Sequence, residues 1–192
     1  FIRAHSADTK LEAFSWAIGR AFDVDEELVV DQALEGADLV LDATAEMGVQ
    51  QFLASEARVR GLPYVQVEAR PGGFGGFVAV LRPQGNAPCW GCLRLAIEDG
   101  TIRPPLDEAA GTLQLAGCAT ATFTGAAYDL VPLSALAVRA VAQLLTTDAE
   151  PTWTVAVLSN REDDRGTVGE TPRWDYYTLA VDPRCGRHAA AA

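Results

Sequence analysis

The spacing of apolar and polar residues along the chain predicts a series of strands and helices. Residues 9–22 carry apolar side chains near helical spacing, and residues 38–42 form an apolar run that is typical of a buried parallel strand. Residues 46–60 predict a helix followed by Gly61, the residue type that commonly ends a helix. Residues 63–69 predict the next strand. This alternation of strand, helix and strand favours a parallel α/β sheet.

The second half of the chain predicts strands with fewer helices between them. A glycine-rich bend at residues 70–76 leads into a strand at 77–81, whereas a phosphate-binding loop would open a helix, so we interpret the bend as a turn with close backbone approach. Residues 130–146 predict a helix that is apolar on nearly all sides and therefore central and buried. Further strands are predicted at 153–158 and 174–181. We therefore expect a Rossmann-like, mostly parallel sheet with helices on both faces and antiparallel strands in the later part.

Composition narrows the class of protein. The 192 residues suffice for one domain, and the formal net charge of -11 argues against a nucleic-acid partner. No apolar run has the length that crosses a bilayer, and the N-terminal residues lack the apolar core of a signal peptide, so no membrane partner is expected. The spacing of the four cysteines is typical of metal ligands rather than of a disulfide framework, which favours the reducing cytoplasm.

Three cysteines and one histidine fall in two short knuckles far apart in the chain. Two residues separate Cys89 from Cys92, and two separate Cys185 from His188, which is ligand spacing that structural zinc favours. A tetrahedral Cys3His site would staple the C-terminal part of the chain to its middle. Four protein ligands leave no open position for a substrate, so the predicted zinc is structural.

The first knuckle also has a second interpretation. Two cysteines separated by two residues occur in thioredoxin-like redox sites as well as in zinc sites. Pro88 and Gly91 predict a turn around the pair, rather than the start of a helix that such redox sites use. The second knuckle is also rich in turn-forming residues. Zinc is therefore the favoured interpretation, and a redox pair or incidental core thiols are the alternatives.

Several segments form an ordered pattern that is more specific than any one of them. The segments are residues 38–44 with the helix after them, residues 61–65, residues 72–78, the Cys89 and Cys92 pair, residues 117–125, Asp129 with the helix it begins, and the second knuckle. In this order they resemble the ThiF/MoeB family of ubiquitin-activating-enzyme-like adenylyltransferases, and residues 117–125 look like its bacterial branch. The resemblance covers nearly the whole chain.

The resemblance implies a place for the chain within a family domain. Residues 1–188 look like the C-terminal portion of a single ThiF-like adenylyltransferase domain, with residues 189–192 as a tail. The family begins with a strand, a glycine-rich phosphate loop and an acidic residue for the ribose, and this chain shows no such segment. We therefore expect the chain alone to bind ATP weakly or not at all and not to be a competent enzyme by itself.

The resemblance also assigns candidate site residues. Lys10, the only lysine, matches the family's ATP-contacting lysine by its position before the strand predicted at 28–30, although an exposed helix lysine fits the same spacing. Asp42 and Thr44 match the motif that contacts the cofactor. The position of the family's magnesium-linked aspartate is Ala45 in this chain. The resemblance implies ATP and magnesium as cofactors of the complete domain.

Cys118 is the one cysteine outside the predicted zinc set. In the resembling family, a cysteine in or after the crossover loop can form a thioester or persulfide link with the carrier protein, so Cys118 is the candidate catalytic nucleophile. The alternative is a small buried residue at a helix-packing turn. Sequence shows no neighbouring histidine or lysine that would lower the pKa of this thiol.

The expected function follows from the resemblance. It implies that the chain is part of an enzyme that uses ATP to activate the C-terminal carboxylate of a ubiquitin-like or sulfur-carrier protein. It also implies a homodimer. The alternative is a catalytically inactive, zinc-stapled module that holds a partner protein or a carrier tail. A fragment of a Rossmann-type dehydrogenase is a weaker alternative, because no G-x-G-x-x-G sequence precedes a helix.

Overall fold

The computed structural model describes residues 10–13, 30–70, 73–105, 112–113, 122–123, 127–146, 151–161 and 168–188. The chain divides into two compact units, Phe1–Glu35 and Gly36–Ala192, and the sheet and helices below belong to the second. The elements of that unit, in chain order, are β1 (Val40–Asp42), α1 (Met47–Val59), β2 (Tyr64–Ala69), β3 (Gly75–Leu81), α2 (Trp90–Glu98), β4 (Thr112–Leu113), β5 (Thr122–Phe123), α3 (Ala127–Thr146), β6 (Val155–Arg161) and β7 (Val168–Tyr177).

A five-stranded sheet forms the centre of the second unit. Its strand order is β1-β2-β3-β6-β7, and β4 pairs with β5 in a separate two-stranded sheet. β1 runs parallel to β2, with Val40 opposite Tyr64. The pairs β2–β3, β3–β6 and β6–β7 are antiparallel. The sheet is therefore mixed and mostly antiparallel.

The expectation of a mostly parallel sheet is wrong for the described residues. The alternation of strand, helix and strand correctly predicts the parallel β1–α1–β2 unit. The next connection, however, is too short for a crossover, because parallel neighbours need a dozen or more connecting residues and antiparallel neighbours need only a turn. Only five residues separate the end of β2 at Ala69 from the start of β3 at Gly75, so the direction reverses earlier than predicted.

The bend between β2 and β3 is a close backbone turn, as its glycines predict. The Arg70 N–H donates to the Gly75 carbonyl at 2.9 Å. Gly75 has a φ of 134°, a conformation that favours glycine. A Cβ atom on Gly76 would lie 2.1 Å from the Glu68 carbonyl oxygen, so this position has no room for a side chain.

Helices cover both faces of the sheet, as expected. Successive side chains of a strand point to opposite faces. Val78 and Val80 of β3 therefore pack on one face with Leu133 of α3, while Phe77 and Ala79 pack on the other face with α2. The α3 side also contains Val65, Ala137, Ala140 and Leu158, and the α2 side contains Leu93, Ala96, Ile102, Val155 and Val157.

Helix α3 is only half buried, so the prediction of a central, enclosed helix is wrong. Leu133 and Ala137 are buried against the sheet, whereas Val131 and Val138 are 61% and 62% exposed. By length and mean hydropathy alone, Tyr128–Thr146 would suffice to cross a membrane, contrary to the expectation from the sequence. Its buried side nevertheless packs on the sheet as the helix of an α/β domain does.

Candidate metal centre and adjoining polar site

The first knuckle lies at the start of α2. Cys89 is the residue before the helix, with an extended backbone, and Cys92 lies in its first turn. Burial raises the pKa of the Cys89 thiol, but hydrogen bonds from the N–H groups of Cys92 and Gly91 and from the Cys185 thiol outweigh it, so the pKa is lowered overall. The start of α2 thus provides donors that stabilise a thiolate, which is the form that binds metal.

The second knuckle is a pair of tight turns near the C-terminal end. The Cys185 N–H donates to the Asp182 carbonyl at 3.0 Å, and the His188 N–H donates to the Cys185 carbonyl at 2.8 Å. Cys185 is buried, and this burial raises the pKa of its thiol to about 11. The turns bring the Cys185 and His188 side chains to the same side of the knuckle.

Two contacts besides the candidate ligands hold the knuckles together. Arg184 Nη2 lies 2.6 Å from a carboxylate oxygen of Asp99, the residue that follows α2. Hydrogen bonds from Thr101 and Arg184 lower the pKa of Asp99 to about 2, so this carboxylate is charged near neutral pH. In addition, the Asp182 N–H donates to the Cys92 sulfur at 3.4 Å. The second knuckle is therefore anchored on α2 through charge and backbone contacts.

The structure brings all four predicted ligands together. One ligand atom each from Cys89, Cys92, Cys185 and His188 lies within 4.8 Å of every other. The Cys89 sulfur is 3.9 Å from that of Cys92 and 3.4 Å from that of Cys185, close to the separation of about 3.8 Å that follows from a tetrahedron with Zn–S bonds of about 2.3 Å. His188 Nε2 is buried without a hydrogen-bond partner among the described residues. This donor set fits a structural zinc ion.

The first knuckle lies at a helix start, contrary to the turn predicted around it. Pro88 and Gly91 predict a turn around the first knuckle, but α2 begins directly after Cys89, so the pair does lie at a helix start. The Cys185 sulfur and the His188 imidazole decide between the interpretations instead, because a dithiol redox site has no need for two further ligands within 4.8 Å. Among the described residues all three cysteines are free thiols.

Gly91 is required by the closeness of the two knuckles. A Cβ atom at this position would lie 2.9 Å from the Cys185 sulfur and 3.6 Å from the Cys89 sulfur. The shorter distance is below any normal contact of a Cβ atom. The glycine between the first two ligands therefore makes room for the third.

A buried polar site follows β1 on the sheet face that carries α1. Asp42 is 1% exposed, and its Oδ1 accepts hydrogen bonds from the N–H and the hydroxyl of Thr44 at 2.8 and 2.7 Å. The Tyr64 hydroxyl donates to Asp42 Oδ2 at 2.6 Å. Burial raises the pKa of Tyr64, and the hydrogen bond to the Asp42 carboxylate raises it further. Both oxygens of Asp42 are therefore engaged in holding the chain after β1.

A second buried carboxylate, that of Glu68, lies on the same face of β2, two residues after Gln66. Glu68 accepts hydrogen bonds from Gln50 of α1 at 3.0 Å, from Gln66 at 3.3 Å and from Arg70 at 3.0 Å. Glu68 is not among the predicted site residues, although the sequence contains a signal for it. Gln66 and Glu68 alternate with Val65 and Val67, which places them on the opposite face from the valines, where α1 covers them.

Comparisons with known proteins address the fold. No protein-family model matches the chain. Two uncharacterized proteins of Sinorhizobium fredii (strain NBRC 101917 / NGR234), y4oA and y4qC, are 34% and 32% identical to it over 79% and 82% of its length. The chain spans 25% and 27% of these relatives. In the solved structures, E. coli MccB crystallised with ATP covers 88% of this chain with a TM-score of 0.51 at 12% identity, and the match covers 45% of that MccB chain.

The chain has an MccB-like fold. The same E. coli protein crystallised with succinimide gives a TM-score of 0.49 over 82% of the chain. At 12% identity, the likeness to the ATP complex of MccB establishes the architecture and no individual site residue. The architecture agrees with the α/β fold that the sequence resemblance to the ThiF/MoeB family implies.

The segment after β1 lacks the carboxylate that the resemblance places at position 45, which is alanine in this chain. Both oxygens of Asp42 accept hydrogen bonds within the chain. Ala45 has a φ of 54°, in the left-handed region that side chains other than glycine, asparagine and aspartate rarely adopt. Asp42 as a cofactor contact stays a prediction, and its observed contacts are structural.

The other two predicted site residues are placed as follows. Lys10 belongs to the first unit, where its side chain is 87% exposed and pairs with Glu12 at 2.7 Å. The hydrogen bond and charge of Glu12 raise the pKa of Lys10, so it is protonated at neutral pH. Cys118, the predicted nucleophile, lies outside the described residues. Both assignments stay predictions.

Proposed function

We propose that this chain is part of an ATP-dependent adenylyltransferase that activates the C-terminal carboxylate of a ubiquitin-like or sulfur-carrier protein. The observation that carries the proposal is the MccB-like fold, because MccB is an E1-like adenylyltransferase and the match is to its complex with ATP. The ordered segments that resemble the ThiF/MoeB family support the same reaction. The metal centre contributes stability, since its four ligands leave no position for a substrate.

The reaction is an in-line displacement at phosphorus. An oxygen of the carrier carboxylate attacks the α-phosphorus of ATP and the bond to the bridging oxygen breaks, which gives an acyl adenylate and pyrophosphate. Negative charge develops on the phosphoryl oxygens, and an ammonium group beside them lowers the barrier. Lys10 is the candidate for this role. Its partner Glu12 is an exposed surface contact, which is weak and therefore readily exchanged for a phosphate.

Asp42 supports the reaction as a positioning residue. Its hydrogen bonds with Thr44 and Tyr64 fix the backbone where β1 ends, which is the edge of a parallel strand pair at which α/β proteins commonly bind ligands. Because position 45 has no carboxylate, no step of the reaction is assigned to a metal held by this segment.

A second step is proposed for Cys118. Its thiolate would attack the carbonyl carbon of the acyl adenylate, form a thioester with the carrier and release AMP. The three other cysteines lie in the metal cluster, which leaves Cys118 as the available thiol of this chain. A Cys118→Ala variant should then retain ATP–pyrophosphate exchange and lose the thioester.

A module that binds a partner without catalysis is the second candidate. The alanine at position 45 favours it, because it removes a magnesium ligand from the expected position. Such a module would hold the carrier tail and leave ATP untouched. In either case we propose a cytoplasmic homodimer, with neither nucleic acid nor membrane as a partner.

ATP–pyrophosphate exchange distinguishes the two candidates. The complete domain that contains this chain would be incubated with ATP, labelled pyrophosphate and each small ubiquitin-like protein of its own genome, intact or lacking the last residue. Label entering ATP only with an intact C-terminus supports adenylylation. Binding of an intact carrier without any exchange would contradict adenylylation and support the binding module.

The Lys10→Gln variant tests the assigned ammonium group. It should lose exchange while keeping its metal content and melting temperature, because Lys10 is exposed in its own unit. Glu12→Gln is the matched control, since it removes the partner and leaves the lysine in place. Exchange that is equally fast in Lys10→Gln and in the unmodified protein would exclude the assigned role.

A further inference from the structure

A cleft of about 260 Å³ lies between α1, the end of β3 and the metal centre. Its walls include Arg58 of α1, Arg82 just after β3, and Arg187 between the two ligands of the second knuckle. Cys89 and Cys185 form the part of the wall that faces the metal cluster. A metal ion with a purely structural role does not require a cleft beside it.

The charge of the cleft is opposite to that of the chain. Three arginines line it and no aspartate or glutamate does, although the chain as a whole carries 26 acidic and 15 basic residues. Zn²⁺ with three thiolates and a neutral histidine has a formal charge of about -1, so the metal centre offsets one of the three guanidinium charges. A net positive cleft on an acidic protein attracts small anions.

The guanidinium groups are held in place by neutral atoms. Arg58 donates to the carbonyl oxygens of Gly85 at 3.1 Å and of Ala87 at 3.4 Å, and Arg187 donates to the Ser55 hydroxyl. Within the described part of the chain, neither Arg58 nor Arg187 has a carboxylate partner. These contacts fix both side chains without cancelling their charge, so their remaining N–H groups are preorganised for an anion.

We propose that this cleft binds a small oxyanion, a phosphoryl or carboxylate group, through Arg58 and Arg187. The site is separate from the proposed adenylylation chemistry and does not depend on it. Its volume suits a single anionic group with a few attached carbons rather than a whole nucleotide. Arginine is suited to both anions, because its planar donor fork matches phosphate and carboxylate oxygens.

The test is calorimetric titration of the zinc-loaded 192-residue chain with inorganic phosphate and, separately, with acetate at constant ionic strength. We expect saturable binding of at least one anion. Arg58→Gln and Arg187→Gln should each weaken it about tenfold or more, because each removes charge-assisted hydrogen bonds. Arg173→Gln is the matched control, since it removes the same charge from an exposed arginine that pairs with Asp175, outside the cleft. Tighter binding of phosphate indicates a phosphoryl ligand, and tighter binding of acetate a carboxylate.

Several outcomes would overturn the proposal. They are the absence of saturable binding for both anions, unchanged affinity in Arg58→Gln, and equal weakening by Arg173→Gln, which would indicate nonspecific charge attraction. If Arg187→Gln loses zinc, the arginines serve the metal centre, and Arg58→Gln then decides whether an anion also binds.

Discussion

The sulfur atoms of Cys89 and Cys185 lie 3.4 Å apart, although 96 positions separate the two residues in the chain. Cys89 is fixed at the start of α2, and Cys185 is fixed in a turn that Arg184 anchors to Asp99. A metal ion between them would close a loop that contains α2, α3 and β4 to β7. Cross-links over long loops restrict the unfolded chain strongly, so the metal centre is expected to dominate the stability of this unit.

Replacing Gly91 by alanine should damage the metal centre. The new Cβ atom would lie 2.9 Å from the Cys185 sulfur, so either the sulfur or the start of α2 must move. Changes to groups that position metal ligands typically cost about 10–100-fold in affinity, and we expect a loss of that size in competition with a chromophoric chelator.

Gly85→Ala is the matched control for this change. A Cβ atom at Gly85 would meet nothing within 4 Å, and its zinc affinity should equal that of the unmodified chain. Equal zinc affinity in Gly91→Ala and Gly85→Ala would mean that the close approach of the two knuckles is not needed for metal binding.

Replacing Ala45 by glycine should stabilise the protein. Ala45 has a φ of 54°, and an alanine in that conformation costs about 1–2 kcal/mol that glycine does not incur. Glycine loses more conformational entropy on folding, so we expect a net gain of about 0.5–1 kcal/mol in the free energy of unfolding, measured by urea denaturation. Ala43→Gly is the control, because this neighbour lacks a positive φ and should lose stability. A loss in both variants would contradict the assigned strain.

Replacing Tyr64 by phenylalanine should destabilise the sheet. The Tyr64 hydroxyl donates to the buried Asp42 carboxylate at 2.6 Å, and loss of a hydrogen bond to a buried charge costs about 1.5–3 kcal/mol. The free energy of unfolding of Tyr64→Phe, compared with Tyr128→Phe, measures this effect. Tyr128 is 78% exposed, so its variant should unfold like the unmodified chain. A Tyr64 variant as stable as that control would show that Asp42 does not depend on this contact.

The sequence predicts several local elements, and the four side chains it marks as metal ligands lie together in the structure. Val40–Asp42 and Tyr64–Ala69 form strands because their apolar runs are bounded by turn residues, and the intervening helix gives the parallel pair. The four ligands could be found because cysteines and histidines at fixed spacing are rare enough to stand out. Each pair supplies only two of the four ligands of a tetrahedral site. The two pairs are therefore expected to meet, whatever the path of the backbone between them.

The features that sequence could not predict depend on tertiary contacts. The glycines at 75 and 76 indicate a turn, but the reversal of direction depends on which strand β3 pairs with. The exposure of Val131 and Val138 could not be seen from an apolar helix, since periodicity does not tell how many faces are covered. Helix α2 begins directly after Cys89 despite the proline at position 88. Proline disrupts a helix when it lies in the interior, but not when it precedes the helix.

The most direct measurement is the metal content of the purified chain combined with X-ray absorption at the zinc edge. We predict one zinc per chain with three sulfur ligands at about 2.3 Å and one nitrogen ligand at about 2.0–2.1 Å. His188→Ala should remove the nitrogen ligand, and chelation should lower the melting temperature, because binding of a structural metal is coupled to folding. A chain without zinc, or one that melts at the same temperature with and without a chelator, would contradict the metal centre.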